Sequence, residues 1–225
     1  MYPPYFRDRS EAGRLLATKL AEYGSRSGVI VLALPRGGVP VGYEVARTLG
    51  APLDIFLVRK LGIPGHEELA MGAVASGDVR VLNEELVRAL RIPNYVVDAV
   101  ATWELQELAR RQKVYRGDRS QPHVAGRIVI LVDDGLATGS TMLAAIQALN
   151  EQGPAWIVVA VPIAPAAICE EMRSQADDVM CAITPEPFYS VGLWYENFSQ
   201  TTDEEVRELL ARAAEFRSQP KSESP

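Results

Sequence analysis

Short apolar runs alternate with longer amphipathic segments along most of the chain. The runs at 29–34 and 128–132 are bounded by glycine, proline or charged residues, which is typical of strands buried on both faces of a parallel sheet. Similar strands are predicted at 53–58, 156–161 and 179–183. Because helical patterns separate these strands, the alternation predicts an α/β fold with a central parallel sheet flanked by helices.

The segments between the strands carry apolar residues at helical spacing. Ser10 is predicted to cap the first helix, which follows it directly. Short strands at 71–75 and 79–82 predict a hairpin around a Gly-Asp turn. The basic run at 110–113 predicts the solvated face of an amphipathic helix. Helices are predicted at 39–49, 95–115, 141–150, 165–175 and 203–216.

Length and composition narrow the class of protein. A chain of 225 residues can bury one large core, so we expect a single domain at 1–216 and a disordered polar tail at 217–225. No apolar stretch reaches the roughly 20 residues of a membrane helix, and the N-terminus lacks a signal-peptide pattern. The formal net charge of −6 argues against nucleic-acid binding, so a polyanionic ligand would need local donors.

The two cysteines, Cys169 and Cys181, suggest a location. They are too few for a disulfide framework, and they do not form a CxxC pair. We expect them to be buried in a helix and a strand. A reducing cytoplasm is the simplest location for such a chain.

The strongest candidate chemistry follows the strand that ends at Val132. In parallel sheets, ligands bind beyond the carboxyl ends of the strands. Asp133 and Asp134 stand at this end, and a small, hydroxyl-rich loop then runs into a helix. Unpaired N–H groups at a helix start suit a phosphate, and Gly139 would let the backbone approach it closely. The acids would face sugar hydroxyls, so the segment predicts a site for ribose 5-phosphate.

Residues 129–141, VILVDDGLATGST, resemble the fingerprint of the type I phosphoribosyltransferases. Gly135 departs from it, because an aliphatic residue is usual at that position. The segments RGGVPVGYEVA, RKLGIPGHEELAMGA and PEPFYSVGLWYENFSQTTDEEV resemble a bacterial group of phosphoribosyltransferases without a settled acceptor. The resemblance covers about 29–198 and implies the type I fold with a small hood.

The resemblance also implies roles for particular residues. Asp133 and Asp134 would hold the ribose hydroxyls. The 5-phosphate would lie on Ala137, Thr138, Gly139, Ser140 and Thr141. Arg36, Gly37 and Gly38 would form the pyrophosphate loop. Arg59 and Lys60 would open a mobile catalytic loop at 59–68 and neutralise charge that develops on the leaving pyrophosphate. From the residues alone, a surface arginine in an ordinary turn and a solvated loop remain alternatives.

The implied function is transfer of ribose 5-phosphate from 5-phosphoribosyl 1-pyrophosphate to a small aromatic, base-like acceptor. Mg²⁺ would be bound mainly through the donor, with no metal ligands assigned to the protein. The alternatives are a regulatory protein that senses the donor without turnover, and a phosphohydrolase, for which no nucleophile constellation is present. The acceptor, the pathway, homo-oligomer formation and the role of His66 stay open. The aromatic segment 188–198 is an acceptor hood, a core cap or a subunit contact.

Overall fold

The computed structural model describes residues 5–117 and 119–216, without the side chains of Glu67, Glu68 and Phe216. At its centre is a five-stranded sheet in the order β2-β1-β6-β7-β8, in which all neighbouring strands are parallel. This arrangement confirms the predicted fold class. The strands are β1 (Val29–Ala33), β2 (Leu53–Ile55), β6 (Ile128–Val132), β7 (Trp156–Ile163) and β8 (Asp178–Ile183).

Helices cover both faces of this sheet. Because successive strand side chains point to opposite faces, Ile130 and Leu131 enter two different cores. Ile130 packs with α1 and α2, and Leu131 packs with α5 and α6. Burial on both faces explains why the strand sequences are continuously apolar. These helices are α1 (Arg9–Lys19), α2 (Gly38–Leu49), α5 (Ser140–Asn150) and α6 (Ala166–Arg173).

A second sheet of three antiparallel strands follows β2. A two-residue turn at Pro64 and Gly65 joins its first two strands, and Gly65 has a φ of 81° there. Leu61 and Met71 are fully buried in a cluster with residues of α4 and α7. The elements are β3 (Val58–Ile63), β4 (His66–Ala75), β5 (Val79–Leu82), α3 (Glu84–Ala89), α4 (Asn94–Arg116) and α7 (Asp203–Phe216).

The second sheet corrects two predictions. The predicted loop at 59–68 is wrong, because these residues form β3, its turn and the start of β4. The predicted strand at 53–58 ends at Ile55, and Val58 instead opens β3. The cap of α1 also differs, since Asp8 rather than Ser10 accepts the N–H of Glu11 at 2.8 Å. The predicted tail at 217–225 lies outside the described residues.

Cys169 and Cys181 form a disulfide that ties α6 to β8, with Cα atoms 6.5 Å apart. Their positions in a helix and a strand agree with the prediction. The disulfide itself was not expected, because the number of cysteines pointed to a reducing location and to no disulfide framework. In the described part of the chain, no helix combines the length and apolar character needed to cross a membrane.

Candidate functional site

Two loops meet at the carboxyl edge of the central sheet. One, at 35–38, follows β1, and the other begins with Asp133 and Asp134 after β6. Gly37 lies so close to Asp134 that an added Cβ would collide with the carboxylate Oδ2. A Cβ on Gly38 would lie 2.7 Å from the carbonyl oxygen that ends β6. Both glycines are therefore needed for this approach, and the structure brings the predicted loop and the acid pair together.

The two acids have different surroundings. Asp133 Oδ1 accepts the backbone N–H of Asp134 at 2.8 Å. Asp134 Oδ2 accepts Nε of Arg9 at 2.8 Å. Burial raises the pKa of Asp133 well above its usual value, and the Asp134 charge adds to this. Burial also raises the pKa of Asp134, but Arg9 opposes the shift. Arg9 therefore favours the ionised form of Asp134, while Asp133 is pushed toward its neutral form.

Arg9 was missed by the sequence analysis. Its Nη1 donates to the carbonyl oxygen of Ser199 at 2.7 Å, and its Cζ lies 4.0 Å from the ring centroid of Phe198. The side chain is only 12% exposed. It begins α1 and meets an acid 125 positions away in the chain, so no local pattern could have indicated the contact.

The start of α5 carries a group of donors that we call the α5 cradle: Lys60, Thr138, Ser140 and the first-turn N–H groups. Lys60 Nζ lies 3.3 Å from Ser140 Oγ, and Thr138 Oγ1 lies 3.3 Å from the same oxygen. Gly139, the N-cap residue, supplies no side-chain cap, and the Ser140 N–H lies 3.5 Å from Thr138 Oγ1. Ammonium, hydroxyl and first-turn N–H donors converge here, as an anionic ligand requires. Ala137 and Thr141 are exposed on either side.

The glycines of this loop face the protein interior. Gly139 has a φ of 69°, and a Cβ there would lie 2.9 Å from Met172 Cε and 3.1 Å from Ile168 Cγ2. A Cβ on Gly135 would lie 2.6 Å from Val191 Cγ1. The predicted role of Gly139 in close approach to a ligand stays a prediction. The structure adds a second reason for glycine, which is packing of the loop on α6.

Arg59 and Lys60 point in opposite directions, because they are successive residues of a strand. Lys60 joins the α5 cradle, whereas Arg59 Nε donates to Glu104 Oε2 of α4 at 2.6 Å. Arg59 still lines a small pocket with Pro35 and Thr141. The structure therefore separates two residues that the sequence analysis assigned to one task.

Arg36 projects from the 35–38 loop toward α7. Its Nη1 lies 3.4 Å from Asp203 Oδ1, which also accepts the Tyr115 hydroxyl at 2.8 Å. Burial and this bond raise the pKa of Tyr115 to about 12. The Pro35-Arg36 peptide bond is cis. Arg36 is thus held by Asp203 of α7, which Tyr115 of α4 also contacts.

The aromatic segment 188–198 contributes mostly to a cap over the acid loop. Trp194 and Tyr195 are buried in a cluster with Phe6 and Ile163. The Tyr195 hydroxyl donates to the carbonyl oxygen of Asp134 at 2.6 Å. Of the three interpretations left open, these contacts favour the core cap for Trp194 and Tyr195, whereas Tyr189 is 75% exposed.

Two questions remain at this site: the role of His66 and the presence of protein ligands for a metal ion. His66 is exposed beside the β3–β4 turn, and its role stays open. Within 5–117 and 119–216, no three His, Cys, Asp or Glu side chains are grouped so that they could hold a metal ion.

Comparison with known proteins identifies the class. The family described as "Phosphoribosyl transferase domain" matches residues 9–195, which is most of the chain. The chain belongs to this family.

Similar proteins agree with this assignment. The chain is 48% identical over 208 residues to "Putative phosphoribosyl transferase Rv0571c" of Mycobacterium tuberculosis strain H37Rv and to its counterpart in strain CDC 1551 / Oshkosh. These matches cover 92% of the chain but 47% of each relative, so the chain spans about half the length of the curated relatives it matches. A crystal structure of TT1426 from Thermus thermophilus is 42% identical, with a TM-score of 0.83 over 92% of this chain and 98% of that one.

Proposed function

We propose that the protein transfers ribose 5-phosphate from 5-phosphoribosyl 1-pyrophosphate to a small aromatic, base-like acceptor and releases pyrophosphate. The observation that carries this proposal is the contact between the 35–38 loop and the acid pair, with the α5 cradle on the same edge. A diphosphate, a ribose diol and a 5-phosphate need these three kinds of partner side by side. No observation favours the regulatory alternative.

The 5-phosphate would lie on the α5 cradle. There the first-turn N–H groups, the hydroxyls of Thr138 and Ser140 and the Lys60 ammonium can all donate to its oxygens. In this proposal Lys60 therefore binds the 5-phosphate, whereas the sequence predicted that it acts on the leaving pyrophosphate. Arg59 and the 35–38 loop stay with the pyrophosphate.

The ribose diol would lie on the acid pair. The observed contacts use Oδ1 of Asp133 and Oδ2 of Asp134, so the other oxygen of each would accept a ribose hydroxyl. The transition state of such a transfer gathers positive charge on the sugar ring. The Asp134 carboxylate, whose ionised form Arg9 favours, would stabilise that charge more than the neutral ground state, and this difference would lower the barrier.

Mg²⁺ fits this site only through the donor. Hard oxygen ligands suit the ion, but the site supplies two carboxylates and one of them is paired with Arg9. The diphosphate and the ribose hydroxyls would provide most of its ligands. When bound, the ion would offset charge on the leaving diphosphate.

The wider setting is also part of the proposal. The acceptor would be an aromatic base or a related ring, and a homo-oligomer is compatible with the fold. The proposed location is the cytoplasm. The disulfide is the observation against it, because disulfides are rare in that compartment.

Calorimetric titration with 5-phosphoribosyl 1-pyrophosphate and Mg²⁺ tests the proposal directly. Asp134→Asn should weaken donor binding by about 1.5–3 kcal/mol, because Arg9 favours the ionised form of this carboxylate and the substitution removes its charge-assisted hydrogen bond to the ribose. The matched control is Asp98→Asn, an exposed acid of α4 paired with Arg80, and it should leave donor affinity unchanged. Pyrophosphate release should then be measured against a panel of nucleobases and other aromatic ring nitrogen compounds.

Two results would contradict the proposal. The first is a wild-type protein that does not bind the donor, and the second is equal donor affinity in Asp134→Asn and in the wild type. Donor binding without pyrophosphate release from any acceptor of the panel would instead favour the regulatory alternative.

A further inference from the structure

A pocket of about 260 Å³ lies between the 35–38 loop, α4 and the start of α7. Five of its six lining residues are polar or charged, and three of these carry guanidinium groups. The lining residues are Pro35, Arg36, Arg110, Arg111, Tyr115 and Asp203. We call this the arginine pocket. Arg110 and Arg111 are predicted from the sequence to lie on a solvated helix face, but in the structure both line a pocket with the 35–38 loop of the candidate site.

The arginines of α4 are held in place before any ligand arrives. Glu107 Oε2 accepts Arg110 Nε at 2.8 Å, and Glu107 Oε1 accepts Arg111 Nε at 2.7 Å. Hydrogen bonds from Arg110 and Arg111 hold the pKa of Glu107 at about 2, so this carboxylate stays ionised. Because both guanidinium groups are already oriented, an anion that binds them loses little side-chain entropy to ordering.

Arg111 also connects the arginine pocket to the proposed donor site. It lines the small neighbouring pocket that contains Pro35, Arg59 and Thr141. One side of Arg111 thus faces the loop at 35–38, and the other faces the start of α5. A diphosphate attached to a sugar whose 5-phosphate lies on α5 would pass through this region.

The charges of the arginine pocket select for an anion. Three guanidinium groups face Asp203, with Glu107 behind two of them. This local excess matters because the whole chain carries a net charge of −6 and would otherwise repel polyanions. Arg110 uses both Nε and Nη2 on Glu107, and Arg111 uses its Nε. The N–H groups left on these two adjacent arginines, Nη1 of Arg110 and Nη1 and Nη2 of Arg111, would donate to the two phosphorus centres of a diphosphate.

We propose that Arg110 and Arg111 of α4, together with Arg36, bind the diphosphate group of the donor and of the released product. This inference rests on the proposed function, because it assigns further residues to the leaving-group side of that reaction. In it, Asp203 competes with the diphosphate for Arg36.

The test is calorimetric titration of inorganic diphosphate, with and without Mg²⁺, and separately of ribose 5-phosphate. In Arg110→Gln/Arg111→Gln the Kd for diphosphate should rise at least tenfold, while the Kd for ribose 5-phosphate stays within twofold. In Lys60→Ala the Kd for ribose 5-phosphate should rise at least tenfold, while the Kd for diphosphate stays within twofold. Lys113→Gln, which removes one positive charge from α4 outside the pocket, is the matched control and should change neither. Asp203→Asn should tighten diphosphate binding several-fold.

Several outcomes would overturn the inference: a wild-type protein that does not bind diphosphate, a double variant with wild-type diphosphate affinity, or equal losses in Lys113→Gln. A double variant that loses ribose 5-phosphate equally would show general disturbance and also overturn it. If the double variant loses diphosphate affinity as expected but no acceptor supports turnover, the assignment of the arginine pocket is supported and the transferase proposal fails. If turnover occurs and the double variant retains diphosphate affinity, the transferase proposal is supported and the assignment of the arginine pocket fails.

Discussion

Replacement of Arg9 by methionine should destabilise the fold far more than the loss of an ordinary surface arginine. The substitution keeps an apolar stem of similar length and removes only the guanidinium. That group contacts Asp134, the carbonyl oxygen of Ser199 and the ring of Phe198. Its loss leaves the Asp134 carboxylate enclosed without its cation.

The expected size of the effect follows from burial. The side chains of Arg9 and Asp134 are 12% and 15% exposed, so water cannot replace the missing partner well. Removal of one member of a buried ion pair typically costs about 3–5 kcal/mol. The pair Arg207–Glu204 is the comparison, because its side chains are 50% and 77% exposed. Arg207→Met should cost less than about 1 kcal/mol.

Urea unfolding monitored by tryptophan fluorescence measures the free energy of unfolding of both variants, since Trp194 is buried in the aromatic cap over the acid loop. A double-mutant cycle with Asp134→Asn isolates the pair, and the two changes should couple by about 1–3 kcal/mol. The reasoning is refuted if Arg9→Met costs no more than Arg207→Met, or if the effects of Arg9→Met and Asp134→Asn simply add.

Two other predictions concern stability. Burial raises the pKa of Asp133 in the folded state, so its contribution to stability is full below about pH 4 and is lost as pH rises through the raised pKa. Asp133→Asn should therefore flatten the pH dependence of the free energy of unfolding between pH 4 and neutrality, and it should raise the free energy of unfolding at pH 7. Urea unfolding across that pH range would contradict this prediction if the free energy of unfolding changed with pH as steeply as in the wild type. The disulfide spans 12 positions of sequence, so Cys169→Ser/Cys181→Ser should lower the free energy of unfolding by about 2–3 kcal/mol. Equal stability of the wild type with and without a thiol reductant, together with two alkylated thiols by mass spectrometry, would exclude the bridge in solution.

The sequence predicted the central sheet well, because each strand is decided by local composition. Residues 128–132 are apolar at every position, and 129–132 are buried on both sides of the sheet, so tertiary contacts reinforce the local pattern. The acid pair and the glycines of the 35–38 loop could be located for the same reason. They follow strands directly, and the ends of parallel strands share one edge.

The second sheet could not be predicted in the same way. Gly62, Pro64 and Gly65 favour a loop when the segment is considered alone. The strands form because β3 pairs with β4 and because Leu61 and Met71 are buried against helices far along the chain. Long-range burial here overrides local propensity.

The missed site residues have a common cause. Helical periodicity shows that Arg110 and Arg111 lie on a polar face of α4, but it does not show what that face meets. The same holds for Arg9, whose partner is 125 positions away. The disulfide likewise depends on the packing of α6 against β8, which the count of cysteines does not contain.

These contacts explain how an acidic chain can present an anion site. The cations at the carboxyl edge are fixed by different partners: Lys60 by a hydroxyl, Arg36 by Asp203 and Arg59 by Glu104. Among the described side chains Lys60 forms no ion pair, so it can bind a phosphate without giving up a carboxylate partner; Glu84, Glu85 and Glu151 line the same pocket. Arg36 and Arg59 must share their charge between their carboxylate partners and the ligand. Affinity on the pyrophosphate side is thereby limited, which suits a group that has to leave after transfer.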